Sequence, residues 1–399
     1  VSDNIILHTH SLPMTGGTKS SLEMCRNLIE KNINVIIVLE NDNIEVDIDF
    51  DVNIKVLTAK GLISPRRLIS PRYDYTKRDD IKVNVLTKYP KVRSFLMWVR
   101  YLKNLSLFPA KYIQMKKFIR FNDINAVISN NMYNDLEHLF FYNGLNKMLS
   151  IRNSPKEVFF RRKQPKIFSL NRYMKDVTFI PVSKDSEIEL CELFPKNKVK
   201  TIYNPFDFDK INKKSREGTE IVNPNPFFVS VGSLCKRKRV DLTISAFSKI
   251  KNDNVNLMII GNGAEKLNLI RLTEKLGIKD RVLFVGNIDN PYIYMKSAIA
   301  TVLTSESEGL PRVLVESLIL KTPIISTDCP TGPAELLNLE YKDYLIEMRD
   351  DRYIIDNISQ CMNNMMDRYN NNNKIEMNIS LERFKPSNII ADWLNLLEN

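Results

Sequence analysis

The tightest constraint on this chain comes from residues 298–337, where strand, loop, helix and strand follow with almost no spare residues. Ala298-Ile299-Ala300-Thr301-Val302-Leu303-Thr304 is a short apolar run, the pattern of a parallel strand buried on both faces. The acidic loop Ser305-Glu306-Ser307-Glu308-Gly309-Leu310 follows. Pro311 then suits a first helical position, where its missing N–H costs nothing. A helix to about Lys321 is expected, with Val313, Leu314, Ser317 and Leu318 inward. Thr322-Pro323-Ile324-Ile325-Ser326-Thr327 returns as the next strand. Open α/β sheets take ligands at such a loop, beyond the carboxyl end of a strand. Free N–H groups and the helix dipole there favour a phosphate. Glu308 and Glu316, with seven residues between them, can accept hydrogen bonds from sugar and ribose hydroxyls. An anion cradle between two hydroxyl acceptors describes a nucleotide-sugar site; the plain alternative is a solvated helix face.

The rest of the chain fits a two-domain protein. Its 399 residues exceed a usual single core. With 43% hydrophobic and 26% charged residues, it has the composition of a soluble globular protein. Cys25, Cys191, Cys235, Cys329 and Cys361 show no paired or C-x-x-C spacing, as expected in a reducing compartment. No run has the length of a membrane span, and Val1-Ser2-Asp3-Asn4 begins no signal peptide, so a cytoplasmic protein is expected. Charge is lopsided: residues 1–205 hold 33 Lys and Arg against 21 Asp and Glu, net +12, and the remainder 25 against 26, net −1. An anionic partner for the first half follows.

In that half, Asn4-Ile5-Ile6-Leu7-His8 reads as a first buried strand, Gly16-Gly17 as its loop, residues 20–31 as a helix and 35–39 as a strand. The glycine pair allows close approach to a phosphate or sugar, or is simply a turn. His8 and His10 lack a third ligand at metal spacing and read as polar residues of the cleft. Asp47, Asp49 and Asp51 fail as a calcium loop, because Val52 and Thr58 stand where glycine and glutamate are needed; a strand edge with acids on one face is expected. Between Lys82 and Arg120 lie ten Lys and Arg and no acid, interleaved with Phe95, Trp98, Tyr101 and Phe108. No nucleic-acid recognition motif accompanies them. They form either a basic surface for anionic lipid or an ordinary helix pair with a core face. Asn256–Gly263 looks like a dinucleotide fingerprint, but Lys266 holds the third glycine's place, which removes the NAD reading.

Glu308-Gly309-Leu310-Pro311-Arg312-Val313-Leu314-Val315-Glu316 resembles the E-x7-E motif of retaining glycosyltransferases of family 4. Pro323–Pro333 is similar to its continuation in the branch that builds bacterial surface polysaccharides. Leu149–Pro155 resembles a serine–glutamate–arginine–asparagine stretch of that branch, with Ile151 in the glutamate's place and Arg152 keeping the arginine, which the resemblance makes catalytic. Phe179–Ser183 and Val199–Pro205 match two more segments. After Gly232 the family carries an arginine and then a lysine on the donor diphosphate. Here Ser233 replaces the arginine, Lys238 fits the lysine, and Lys236 or Arg237 is left to supply the missing charge.

The resemblance implies the GT-B arrangement, two Rossmann-like α/β domains facing across a cleft. Residues 1–205 form the acceptor side, 206–378 the nucleotide-sugar side after a linker from Pro205 to Pro226, and 379–399 a helix crossing back to the first domain. The activity implied is transfer of a sugar from a UDP-linked donor, with retained configuration, to a glycan or lipid-linked acceptor. Glu308 would orient the sugar and Glu316 the ribose. Lys238 and the N–H groups near Gly309 and Leu310 would hold the diphosphate, with Gly16 and Gly17 closing from the other domain. The cationic diphosphate site and the failed aspartate run predict no metal; the donor is a substrate, and no cofactor is expected. The rival reading is a non-catalytic anion- or membrane-binding protein that kept this fold, motivated by Ser233 and Ile151.

Overall fold

The structure, a computed structural model, describes residues 4–13, 15–65, 90–130, 136–161, 170–217, 225–337, 339–373 and 375–398. Its first sheet contains β1 (Asn4–Thr9), β2 (Asn34–Leu39), β3 (Asn53–Thr58), β4 (Gly61–Ile63), β5 (Ile124–Ser129), β6 (Asn146–Ile151) and β7 (Val177–Pro181), ordered β4-β3-β2-β1-β5-β6-β7. Neighbours run parallel except β3 and β4. The second contains β8 (Phe227–Val231), β9 (Asn256–Ile260), β10 (Val282–Gly286), β11 (Thr301–Leu303), β12 (Ile324–Thr327) and β13 (Leu345–Ile346), ordered β10-β9-β8-β11-β12-β13. In each, the first strand lies inside the sheet and the strand order reverses beside it. That reversal opens the crevice in which such sheets take ligands. Two such units are the GT-B architecture.

Strand alternation divides the first core. Ile5, Leu7, Val35 and Ile37 pack beneath Leu22, Cys25 and Leu28 of helix α1 (Gly16–Ile29). Ile6, Ile36, Val38 and Val127 face the other way, against Met115 and Ile119 of α2 (Pro90–Phe121). α2 is one helix of 32 residues with Pro109 inside it, not the helix pair that the basic stretch suggests. Residues 82–89 of that stretch lie outside the described residues. The last helix, which we number α6 (Pro386–Leu397), inserts Ile389, Ile390 and Trp393 into the core under α1.

Three expectations need correction. The stretch from Pro205 to Pro226 is not irregular throughout. It contains helix α3 (Phe208–Lys214), capped by the Asp207 carboxylate accepting from the Lys210 N–H at 2.8 Å. Asp47, Asp49 and Asp51 lie in irregular chain rather than on a strand edge, and Asp49 pairs with Arg26 and Lys210. Helix α4 (Arg312–Ile319) is buried all round, Val315 and Glu316 included, rather than on one face. The second core gains α5 (Asp351–Asn370), whose Ile354, Ile358 and Met362 join Ile259 and Val302.

Candidate active site

The glycine pair belongs to a helix rather than to a loop. The Thr15 hydroxyl caps α1 by accepting from the Thr18 N–H at 3.3 Å, so Gly16 and Gly17 form its first turn. Each glycine carbonyl is held from within. Ser20 Oγ donates to Gly16 O at 3.0 Å and Ser21 Oγ to Gly17 O at 2.9 Å. Each serine is held in turn from outside the helix: Asn130, just past β5, donates to Ser21 Oγ at 2.7 Å, and Arg312 of α4 donates to Ser20 Oγ at 2.9 Å.

Glu308 sits in the opposite loop, buried at 7% exposure. Its Oε1 accepts from Lys238 Nζ at 2.6 Å and pairs with Arg237 Nη1 at 3.1 Å. Burial pushes this carboxyl up, but the two cations hold it below its ordinary value. Arg237 is thus the second cation of this turn at Glu308, while Lys236 is exposed. Both cations come from the single 3₁₀ turn Lys236–Lys238, which ends on Arg239 at φ 45°. That turn can approach because Gly261 and Gly263 let the β9 loop touch the β8 loop. A Cβ on Gly261 would lie 1.9 Å from Gly232 O, and one on Gly263 would lie 2.3 Å from Leu234 O. The apparent fingerprint is thus a close approach of two loops.

Gly309 is one of the places where the domains meet. A Cβ there would lie 2.6 Å from the carbonyl carbon and oxygen of Arg152, so only glycine fits. Leu310 packs into the core beside Leu314 and contributes backbone rather than side chain to the loop. The Arg152 side chain donates to Asn204 Oδ1 at 2.5 Å. Burial, and then the Arg312 guanidinium, push Arg152 down to about 10, which leaves it cationic at neutral pH. Ile151 points into an apolar cluster with Leu149 and Phe179. A glutamate at that position would bury a carboxylate among apolar side chains.

Eight residues beyond Glu308, Glu316 accepts from Arg312 Nε at 3.2 Å and Nη2 at 3.1 Å, with the Tyr292 hydroxyl at 3.5 Å. Burial and then Glu316 push the Tyr292 hydroxyl up. The structure therefore brings Gly16, Gly17, Arg152, Lys238, Glu308, Gly309, Leu310 and Glu316 to the facing edges of the two sheets. Arg312, Ser20, Ser21 and Asn130 were not singled out from sequence. For Arg312 a signal existed, its i,i+4 spacing from Glu316. His8 differs from expectation: it is fully buried rather than lining the cleft, with Nδ1 2.5 Å from the Tyr142 hydroxyl and Nε2 3.3 Å from Glu40. His10 is half-buried, 2.9 Å from the other Glu40 oxygen. Among the described residues, no group of three His, Cys, Asp or Glu is placed to hold a metal ion.

Residues 211–376 match the family described as Glycosyl transferases group 1. A relative described as an uncharacterized glycosyltransferase of Methanocaldococcus jannaschii is 32% identical over 215 residues, 48% of this chain and 53% of that protein. The N-acetylgalactosamine-N,N'-diacetylbacillosaminyl-diphospho-undecaprenol 4-alpha-N-acetylgalactosaminyltransferase of Campylobacter jejuni is 34% identical over 179 residues, 44% of this chain and 48% of that one. The chain spans about half the length of these curated relatives. Anabaena HepE in complex with UDP shares the fold across 99% of both chains, at TM-score 0.69 and 14% identity.

Proposed function

We propose that this protein is a retaining glycosyltransferase that moves a sugar from a UDP-linked donor to a glycan or lipid-linked acceptor in bacterial surface polysaccharide synthesis. The observation that carries this reading is the pair of carboxylates at the two ends of the α4 entry, one bearing two cations. Lys238 and Arg237 both lie at the Glu308 carboxylate, so positive charge is presented at the loop where a diphosphate would sit. As the bond from the sugar to the diphosphate breaks, that charge and the N–H groups near Gly309 and Leu310 stabilise the leaving group. The acceptor oxygen bonds to the anomeric carbon on the face the diphosphate leaves, and its proton passes to the departing diphosphate oxygen. Glu316 takes the ribose, Glu308 orients the sugar, and Arg152 adds charge from the acceptor side. Among the described residues, the buried Ser307 Oγ and Arg152 Nε find no hydrogen-bond partner, an arrangement that a polar ligand would complete. A transferase of this kind needs no metal and no cofactor besides its donor.

The same proposal covers location. No helix among the described residues is long and apolar enough to cross a membrane. α2 exposes Leu102, Ile113 and, at 90%, Phe121, with Lys117 and Arg120 also exposed. A basic and apolar face of this kind suits the inner face of the plasma membrane, where each basic residue contributes about 1 kcal/mol. Binding to phosphatidylglycerol vesicles, lost in salt and absent on neutral vesicles, tests it; equal binding to both kinds of vesicle would remove the electrostatic docking.

Thermal melting with a panel of nucleotide sugars tests the donor assignment, since a ligand of the native state raises its stability. UDP-sugars are expected to stabilise and to be slowly hydrolysed without acceptor. Stabilisation without any turnover would favour a non-catalytic binding protein instead.

A further inference from the structure

Arg312 makes contacts that neither donor binding nor helix stability requires. Its Nε and Nη2 hold Glu316 at 3.2 and 3.1 Å on the second domain. Its Nη1 donates at 2.9 Å to Ser20 Oγ on the first domain and lies 3.4 Å from Pro205 O. Its guanidinium stacks 4.2 Å from the ring centre of Phe206, which is fully buried where the chain passes between the domains. Ser20 Oγ in turn donates to Gly16 O at 3.0 Å. Every donor and acceptor in this series is used consistently, from the Glu316 carboxylate through the guanidinium and the hydroxyl to the first glycine of α1. Only a planar fork can hold three such directions at once.

We infer that Arg312 is a positioning residue that couples the ribose carboxylate Glu316 to the Gly16–Gly17 turn of the opposite domain through Ser20. The inference rests on the nucleotide-sugar reading. Nucleotide at Glu316 fixes the guanidinium, the guanidinium fixes Ser20, and the turn facing the diphosphate is set in register. Gly17, held through Ser21 and Asn130, is anchored within its own domain. The pair is thus held half from each domain. A merely local arginine would not need a partner 292 residues away in sequence.

A double-mutant cycle on UDP affinity, measured by calorimetric titration, tests this. Ser20→Ala removes the hydroxyl without touching Glu316; an effect carried through Arg312 disappears when Arg312 is replaced, whereas one carried through Gly16 alone persists. Ser20→Ala is expected to weaken UDP binding about fivefold in the native background and to have no effect in Arg312→Gln. Arg312→Lys, which keeps the charge and serves as the folding control, should also abolish the Ser20→Ala effect. Multiplying losses, or a silent Ser20→Ala in the native background, would overturn the coupling. A general weakening of α1 by Ser20→Ala would appear in every background and so produce the multiplying result. Failure of the native protein to bind UDP, ADP or GDP at all would be a different result. It would bring down the nucleotide-sugar reading and the coupling with it.

Discussion

Glu308 and Glu316 are both buried carboxylates with cationic partners, yet they are wired differently. Glu308 takes both its cations from one turn of its own domain, so its charge balance survives any movement of the domains. Glu316 takes its cation from Arg312, which also grips the opposite domain. The first is an electrostatic centre closed within one domain, and the second is tied to the register of both. Buried pairs are poor stabilisers by themselves, so both are better read as arrangements for a ligand.

The comparison breaks most readily at the first site. Lys238→Ala should slow transfer by about 10²–10³-fold and cost about 1.5–3 kcal/mol of UDP affinity; donor hydrolysis rates and titration measure both. A native hydrolysis rate in this variant would move the diphosphate elsewhere. Gly309→Ala sharpens the contrast by disturbing the domain contact, because its methyl meets the Arg152 carbonyl. It should lower stability by about 1–3 kcal/mol in denaturant titration, and an unchanged midpoint would mean that the domains do not meet there.

Acid should affect a third, largely buried carboxylate. Burial raises the Glu40 carboxyl, but hydrogen bonds from His10 and His8 hold it well below its ordinary value. A lowered folded value contributes stability that is complete above about pH 4.3 and is lost as pH falls through that lowered value. Melting temperatures between pH 5 and 3 should therefore drop more steeply in the native protein than in Glu40→Gln. The smallest effect belongs to Asp49→Asn. Asp49 is 57% exposed in its pairs with Arg26 and Lys210, so less than about 1 kcal/mol should be lost. Activity should survive both this change and chelation; loss that manganese restores would place a metal on the diphosphate.

Much of this was legible in the sequence, for a physical reason. Strands such as β1 and β12 are buried on both faces, so they read as unbroken apolar runs. Glu308 and Glu316 stand out because a strand and a helix opening bracket them. Local patterns cannot report partners distant in sequence. Ser20 looks like any helix serine until Arg312 reaches it, and Arg237 was separable from Lys236 only once the turn was folded. His8 alternates correctly for a strand end, but its burial depends on Tyr142 and Glu40, which arrive from other elements.

The most direct measurement is UDP titration of the native protein beside Glu316→Ala and Glu308→Ala. The native protein should bind UDP, Glu316→Ala should bind it about tenfold more weakly, and Glu308→Ala should bind within about threefold of native while losing donor turnover. Unchanged affinity in Glu316→Ala, or equal losses in both variants, would contradict the division of the site into a ribose carboxylate and a sugar carboxylate.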